Sequence, residues 1–394
     1  MNDFTAPQFT AAQGGPAFVA MKRRSGLRWA AAFVAALVAL LAGLFTLSII
    51  GYGTGLVPLL IGLTVAVLPV PLYVALVLWL DRYEPEPLWM LAIAFFWGAL
   101  VAVFFAIIIN SLGVLFIAEA FDEEVASFYG MVISAPLVEE GSKALALFIL
   151  FFWKRDEFDG VLDGIVYAAM VGLGFAMTEN VKYYGEAVVE SNAVGVFIVR
   201  GLFSPYAHPL FTSMTGIGLG LARQSANRAT KIIMPFAGFA LAVLLHGAWN
   251  ASAFFSGKFQ SGAYVLLMYF VVMVPVFIAV LLSVVLALRR EGRILREHLR
   301  CDFERGLLTE QEYGRLCTIR GRMGASFNAL TRGGFRTWRD RKQFNRLASE
   351  LAFHRNRVAR GIRARDGSDP QREAVYVREI HQLRLRLDAS QNRS

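Results

Sequence analysis

Cysteine and charge are both scarce in this sequence. Its 394 residues include two cysteines, Cys301 and Cys317, which excludes a disulfide framework and a cysteine-based metal knuckle. Charged residues make up 18% of the chain, against about 25% in soluble domains, while 56% of the residues are hydrophobic. This composition is typical of a membrane protein and excludes an ordinary soluble enzyme.

Several familiar enzyme motifs are also missing. The chain has no Gly-x-Ser-x-Gly and no His-Glu-x-x-His, which weighs against a serine hydrolase with a nucleophile elbow and against an ordinary zinc protease. Its glycine-rich stretches, around Gly164–Gly174 and Gly216–Gly220, lie inside apolar segments rather than between a strand and a helix. They therefore predict close packing of helices instead of a phosphate-binding loop.

Long apolar stretches dominate the first three quarters of the chain. Eight of them are long enough to cross a bilayer, approximately at residues 29–51, 57–80, 87–117, 128–153, 160–183, 193–222, 232–255 and 262–288. The first apolar stretch is longer than that of a signal peptide, so we expect it to be retained. The predicted fold class is an all-α polytopic membrane protein with about eight transmembrane helices.

Basic residues are distributed unevenly between the two sides of this arrangement. With the N-terminus inside, the loops of the opposite side carry Lys182 and Lys258, whereas the inner loops carry Arg82, Lys154, Arg155, Arg223, Arg228 and Lys231. The positive-inside rule then places both termini in the cytoplasm. We expect three parts: a disordered cytoplasmic N-terminus (1–28), a transmembrane domain (29–288) and an Arg-rich cytoplasmic tail (289–394).

The tail accounts for the basic character of the chain. Residues 289–394 hold 25 Lys and Arg against 13 Asp and Glu, or +12, which leaves −3 for the rest of a chain whose net charge is +9. Amphipathic stretches and a capping box of Thr309 and Glu312 predict helices here. We expect contact with anionic lipid or a cytoplasmic protein. Sparse aromatics and the lack of a binding motif argue against nucleic acid.

The predicted fourth span contains three charged residues near its middle. They lie in "SAPLVEEGSKALALFILFFW" and are Glu139, Glu140 and Lys143. Each would cost on the order of 2.5–3.5 kcal/mol at the centre of a membrane helix. Lys143 follows the two glutamates by four and three residues, so it can reach either one on a helix.

Other polar residues lie at a similar depth in the next three spans. They are Glu179 and Asn180 in the fifth span, His208 in the sixth, and His246 and Asn250 in the seventh. So many ionisable groups at one depth indicate function rather than packing. Glu and His suit hydrolysis by activated water, and Asn250 could donate to the oxyanion. The same groups could hold a divalent cation, zinc first, through His208, His246 and one of Glu139, Glu140 or Glu179. The spacing leaves both options open.

Two other classes of function fit the same residues. In a proton- or cation-coupled transporter the glutamates and histidines would form a relay, but the eight spans show no matching halves of the kind such transporters contain. In a catalytically inactive scaffold the same residues would serve structure alone.

These motifs together resemble the PrsW family of bacterial intramembrane proteases, which is related to the type II CAAX prenyl endopeptidases. The resemblance rests on Glu139-Glu140-x-x-Lys143, Glu179-Asn180, His208, His246-x-x-Trp249-Asn250 and the loop "DRYEPEP" at Asp81–Pro87, and it covers roughly residues 60–290.

The resemblance implies cleavage of membrane-anchored proteins, such as an anti-sigma factor, in the bacterial cytoplasmic membrane. It implies catalytic roles for Glu139, Glu140, His208, His246 and Asn250. Lys143, Glu179 and Asn180 are expected as site neighbours. Members of the family are described both as glutamic-type and as metalloproteases, so the resemblance leaves the catalytic type open.

Overall fold

The computed structural model describes residues 25–83, 85–155, 157–361 and 367–391. The predicted disordered N-terminus (1–28) lies outside these ranges, apart from its last residues, which begin the first helix. The regular structure of the described residues is helical. The helices are α1 (Ser25–Thr54), α2 (Leu56–Val67), α3 (Val70–Leu80), α4 (Leu88–Phe96), α5 (Val103–Ala120), α6 (Glu123–Phe128), α7 (Ala135–Trp153), α8 (Val161–Val189), α9 (Ala193–Phe197), α10 (Ala207–Gln224), α11 (Arg228–Lys258), α12 (Ala263–Met268), α13 (Val274–His298), α14 (Arg300–Glu304), α15 (Glu310–Leu316), α16 (Ile319–Ala359) and α17 (Asp369–Gln391).

Short π-helical segments interrupt the membrane part. They are Trp97–Ala102 between α4 and α5, Tyr129–Ser134 between α6 and α7, Ile198–Phe203 after α9, and Tyr269–Met273 between α12 and α13. Such segments occur often beside functional sites, because they shift the faces of a helix relative to its preceding turns. Two of the four come directly before helices that carry candidate site residues, α7 and α10.

Among the described residues, six helical segments are long and apolar enough to cross a membrane. They are Trp29–Thr54, Leu56–Leu80, Leu88–Ala120, Val161–Val189, Arg228–Lys258 and Ala263–Glu304. They correspond to six of the eight predicted spans and confirm a polytopic helical membrane protein. The predicted fourth and sixth spans are not among them. The fourth contains the charged residues of α7, and the sixth is broken between the segment ending at Phe203 and the start of α10.

Helix α8 lies at the centre of the membrane part. In its most apolar window 83% of the residues are buried, against 28% or less in the other five candidate spans. Glycines let α10 approach it closely: a methyl group on Gly164 would overlap the backbone carbonyl of Gly216, and one on Gly172 would overlap Pro209. The helix packing predicted from these glycines is confirmed, and it brings the residue before Pro209, His208, against α8.

The basic tail is a helical bundle with its own apolar core. Phe344 and Leu351 of α16 and Leu383 of α17 are buried together there, and Tyr83, from the loop after α3, is buried with them. The predicted capping box of Thr309 opens α15. Helix α13 runs from the membrane part into this bundle without a break, so the predicted boundary at residue 288 falls inside a helix.

Candidate active site

Four helices bring the predicted site residues into one polar cluster. Helix α7 contributes two glutamates and a lysine, α8 a glutamate and an asparagine, α10 one histidine, and α11 a histidine and an asparagine. These are Glu139, Glu140, Lys143, Glu179, Asn180, His208, His246 and Asn250. All eight lie within the cluster or line the cavity beside it.

Glu140 is completely buried, and both of its carboxylate oxygens are bonded. Oε1 accepts a hydrogen bond from Lys143 Nζ at 2.8 Å and lies 3.1 Å from His246 Nδ1. Oε2 accepts a hydrogen bond from the hydroxyl of Thr212 at 2.9 Å. A buried carboxylate is tolerated when its oxygens are paired in this way. Glu140 does not line the cavity, so its position suits holding the ring of His246.

Glu139 occupies a different environment from its neighbour in the sequence. It lines the cavity, and its Oε2 is buried without a hydrogen-bond partner among the described residues. That oxygen lies 3.6 Å from Lys143 Nζ and 3.9 Å from His246 Nε2. A buried polar atom that makes no hydrogen bond costs about 1–3 kcal/mol. Such an atom in a native structure often marks a site for an ion, a water or a reacting group.

His208 is held by a carboxylate on one side and a lysine on the other. Its Nε2 lies 2.8 Å from Glu179 Oε2, and its Nδ1 lies 3.1 Å from Lys143 Nζ. Glu179 also pairs with the guanidinium of Arg200, whose Nε donates to Asn180 Oδ1 at 2.6 Å. The chain Arg200–Glu179–His208 therefore fixes the histidine ring from the side of α8.

Each histidine thus has one ring nitrogen against a carboxylate. This is the usual arrangement around a metal-binding histidine, since the carboxylate fixes the ring and its tautomer. The two rings lie 5.1 Å apart, and His246 also stacks on Phe211 at 5.0 Å. Glu139, His208 and His246 each offer one ligand atom, all three within 4.8 Å of one another. His₂Glu is a known catalytic zinc set, so these residues fit a divalent cation provided that Lys143 Nζ moves away from His208 Nδ1, the ring nitrogen that Glu179 leaves available.

A cavity of about 930 Å³ connects this cluster with the outside of the helix bundle. Glu139, His208 and His246 line it, and it extends to Glu123 at the start of α6 and to Lys182 in α8. Its lining is mainly apolar and becomes polar around Glu139, His208 and His246, which suits a peptide segment whose scissile bond meets water at the cluster. Segments within lipid are normally helical, because lipid offers no hydrogen-bond partners to the N–H and C=O groups of an extended backbone. A substrate segment that unwinds for cleavage therefore needs a cavity of this kind.

Asn250 lines the same cavity from α11. Its Nδ2 donates a hydrogen bond to the backbone carbonyl of Met131 at 2.9 Å. A side-chain amide carries two N–H donors, so this bond leaves the second available. Asn250 is therefore held in place and retains a donor for the cavity; its role as an oxyanion donor stays a prediction.

The cluster also accounts for the cost of burying its charges. Glu139, Glu140 and Glu179 would contribute three negative charges, and Lys143 and Arg200 two positive ones. Lys143 is fully buried and lies 3.8 Å from the centre of the Phe175 ring. Pairing offsets the desolvation of most of these groups, and the remaining charge of −1 favours a bound cation.

Sequence reasoning missed two members of the cluster. Arg200 lies inside the predicted sixth span, and an arginine at that depth is itself a signal of function. Thr212 follows His208 by four residues, so both lie on one face of α10. The helical spacing could have identified Thr212 as a partner of the same cluster.

Comparison with known proteins gives a consistent set of relatives. The sequence model of the family described as "PrsW family intramembrane metalloprotease" matches residues 86–280. "Protease PrsW" of Geobacillus kaustophilus is 33% identical over 175 residues, which cover 43% of this chain and 69% of that protein. "Protease PrsW" of Oceanobacillus iheyensis is 32% identical over 168 residues, covering 42% and 70%. That of Bacillus subtilis is 32% identical over 173 residues, covering 43% and 72%. No solved structure matches the chain.

A polytopic helical protein with this cluster and these relatives is an intramembrane endopeptidase. The chain belongs to the PrsW family. The resemblance identified from the sequence motifs is confirmed. The transporter and the inactive scaffold are set aside in favour of the protease. All three relatives are bacterial proteins, as the resemblance implied.

Proposed function

We propose that this protease cleaves membrane-anchored proteins with Glu139, His208 and His246 as the ligands of a divalent cation. The observation that supports this most is the buried Glu139 Oε2, which has no hydrogen-bond partner among the described residues and lies beside two histidines. Zinc is the metal whose usual catalytic set matches these donors. A divalent cation bound there supplies Lewis acidity to hydrolysis.

The remaining residues position this set. Glu140 holds His246 through Nδ1, and Glu179 holds His208 through Nε2. Lys143 contacts Glu140 and lies close to Glu139, which limits the repulsion between the two carboxylates. Asn250 donates its second amide N–H to the substrate carbonyl oxygen as negative charge develops there.

The same oxygen of Glu139 also supports a glutamic-type mechanism. In that case no metal is required, and Glu139 accepts a proton from a water in the cavity while the water attacks the peptide carbonyl. Glu139 faces the cavity whereas Glu140 does not. We therefore propose Glu139, rather than Glu140, as the catalytic carboxylate in both mechanisms.

We place the protein in the bacterial cytoplasmic membrane with eight spans and both termini inside. The predicted fourth and sixth spans would be too polar or broken to stand alone in lipid, and here they pack against α8 and α11, which shields their charges. With this orientation the cavity opens at Glu123 and Lys182 towards the outer side. The substrate is a protein anchored in the same membrane, and an anti-sigma factor fits that description.

The decisive experiment compares new protein N-termini in membranes of cells that carry wild type or Glu139→Gln. Glu119→Gln, which changes an exposed carboxylate at the end of α5, serves as the matched control. Cleavages that are present in wild type and the control but lost in Glu139→Gln would identify the substrate. General-base or metal-ligand loss of this kind costs on the order of 10²–10⁴-fold in rate. Unchanged termini at equal expression would overturn the proposal.

The catalytic type needs a second arm with the purified protein and that substrate. Loss of cleavage with a chelator, followed by recovery on adding Zn²⁺, supports the cation. Direct measurement of bound metal, which should fall in His208→Ala and His246→Ala, gives a readout independent of activity. Full activity in metal-free protein would instead support the glutamic-type mechanism.

A further inference from the structure

The long helix α16 of the tail reverses direction at Gly334. This residue has φ 74° and ψ −174°, outside the helical region. Contacts across it show the reversal, because Arg322 Nη2 donates to the backbone carbonyl of Asn345 at 2.6 Å and Asn345 Nδ2 donates to Ser326 Oγ at 3.3 Å. Residues 23 apart would be roughly 34 Å apart on one straight helix. Residues 319–359 therefore form a helical hairpin.

The tip of this hairpin exposes large apolar side chains. Phe327 is 64% exposed and Phe335 68%, and Leu330 is 41% exposed between them. Phe335 contacts the ring of Trp338 at 5.2 Å. By contrast, the part of α16 around Phe344 and beyond is buried in the core of the tail. Val375 and Leu385 of α17 are exposed as well, but the exposed phenylalanine rings of the described tail, Phe327 and Phe335, lie at the tip.

Charge of one sign surrounds these apolar residues. Between Ile319 and Arg339 the sequence contains five arginines and no Asp or Glu. Three of the arginines, Arg332, Arg336 and Arg339, lie at the tip and are exposed. Exposed aromatic and apolar residues framed by basic ones are typical of segments that lie in the headgroup region of a membrane.

The base of the hairpin lies at the edge of the membrane part. Arg322 Nη1 donates to the backbone carbonyl of Tyr83 at 3.3 Å, and Arg82 contacts the thioether of Met323. Arg82 and Tyr83 come directly after Leu80, where a membrane-spanning helix ends. Arg82 also stacks on Trp79 at 3.7 Å, an aromatic–basic pair of the kind found at membrane interfaces. The turn at Gly334 lies 12 residues from Arg322, or roughly 18 Å along the helix, so the tip is within reach of the same interface.

We propose that the tip of the α16 hairpin, residues 327–339, inserts into the headgroup region of the inner leaflet and binds anionic lipid. Phe327, Leu330 and Phe335 would enter the interface, while the three arginines of the tip contact lipid phosphates. The tail, which lies outside the region matched by the family, would thereby be held against the membrane beside the protease. The proposal depends on the protein spanning the membrane but not on its catalytic type.

The test uses the full-length protein in nanodiscs with an environment-sensitive fluorophore at position 330. The variant is Leu330→Cys in a Cys301→Ser background, because Cys301 is exposed whereas Cys317 is buried. Glu379→Cys, at an exposed position on α17, is the matched control. The readout is quenching by a spin label carried near the lipid headgroup, in neutral nanodiscs and in nanodiscs with roughly one third phosphatidylglycerol.

We expect quenching at position 330 to be at least about twofold stronger than at position 379 with phosphatidylglycerol. It should fall when the salt concentration is raised and in Arg332→Glu/Arg336→Glu, whose exposed positions leave the fold intact. Equal, weak quenching at both positions in every lipid would overturn the proposal. Protection of position 330 that appears only when a cytoplasmic protein fraction is added would also overturn it, since the tip would then be a protein-binding surface.

Discussion

The protein buries charge in two places, and it does so in two different ways. In the membrane part, the carboxylates of Glu140 and Glu179 bond to other side chains: Glu140 to Lys143 of its own helix and to His246 of α11, and Glu179 to His208 of α10. At the contact between the tail and the membrane part, the buried Arg322 instead donates to backbone carbonyls. Burial lowers the pKa of Arg322 to about 10, because no carboxylate is bonded to it.

The different bonding distinguishes a candidate active site, the intramembrane cluster, from a structural joint, the contact that Arg322 makes between the tail and the membrane part. Arg322 donates to the carbonyl of Tyr83 and adds a second donor to that of Asn345, so its bonds complete the local structure. The carbonyl of Asn345 also accepts from Ser349 Oγ. In the intramembrane cluster, Glu139 Oε2 is buried without a hydrogen-bond partner among the described residues, and it lies beside two histidines in a residue that lines a cavity. A carboxylate oxygen held in this way beside two oriented histidines is preorganised for a ligand or a reaction. Burial of charge alone would not distinguish the two places.

Among the substitutions that test this comparison, Glu140→Gln is expected to have the largest effect. Glu140 holds His246 without reaching the cavity, so its loss should reduce turnover and metal affinity by about 10–100-fold. The loss should be smaller than that of Glu139→Gln. Cleavage of the identified substrate and the metal content of purified protein measure both effects. If Glu140→Gln is the more damaging of the two, Glu140 and not Glu139 is the catalytic carboxylate.

Depth counting along the sequence identified most of this cluster. Helices of known direction place Glu139, His208 and His246 at one level, and the structure brings all three together. The sequence does not determine how each helix is rotated about its axis. This rotation depends on contacts such as Gly164 against Gly216, which the sequence does not assign to partners. For that reason the sequence could not determine which of two adjacent glutamates faces the cavity.

The tail likewise shows that local sequence patterns predict helices but not the contacts between distant parts of the chain. Composition predicted a basic helical region, and the capping box at Thr309 is where the sequence placed it. The burial of Tyr83 in the core of the tail was not predictable. It joins residues more than 200 positions apart, and no local pattern encodes such a contact. Gly334, in contrast, is a position where a turn could have been suspected from the pair Gly333–Gly334.

An intermediate effect, on stability rather than catalysis, is expected for Arg322→Ala. The change leaves the carbonyl of Tyr83 without its Arg322 donor, and such a loss costs about 1–3 kcal/mol; the carbonyl of Asn345 keeps its bond from Ser349 Oγ. The tail should become sensitive to limited proteolysis, while turnover of the protease domain changes by less than about threefold. Arg320→Ala, at an exposed position two residues earlier, is the control. A collapse of turnover with an intact tail would mean that this joint belongs to the site.

The smallest effect concerns the loop at the same joint. Burial raises the pKa of Asp81 to about 7, although the backbone N–H of Glu86 donates to its Oδ2 at 2.6 Å. The unfolded chain releases this proton near pH 4. The contribution of protonated Asp81 to stability is therefore complete below pH 4 and is lost as the pH rises through 7.

Asp81→Asn keeps an acceptor for the backbone N–H of Glu86 but cannot ionise. The melting temperature of wild type should fall between pH 5 and pH 8, and that of the variant should fall by about 2–4 °C less. Asp122→Asn serves as the control, because Asp122 is the exposed cap of α6 and asparagine caps equally well. Identical melting-temperature profiles for Asp81→Asn and wild type would contradict this expectation. They would show that hydrogen bonds offset the burial of the Asp81 carboxylate as fully as they offset that of Glu140. Only the cavity would then distinguish the intramembrane cluster from the joint.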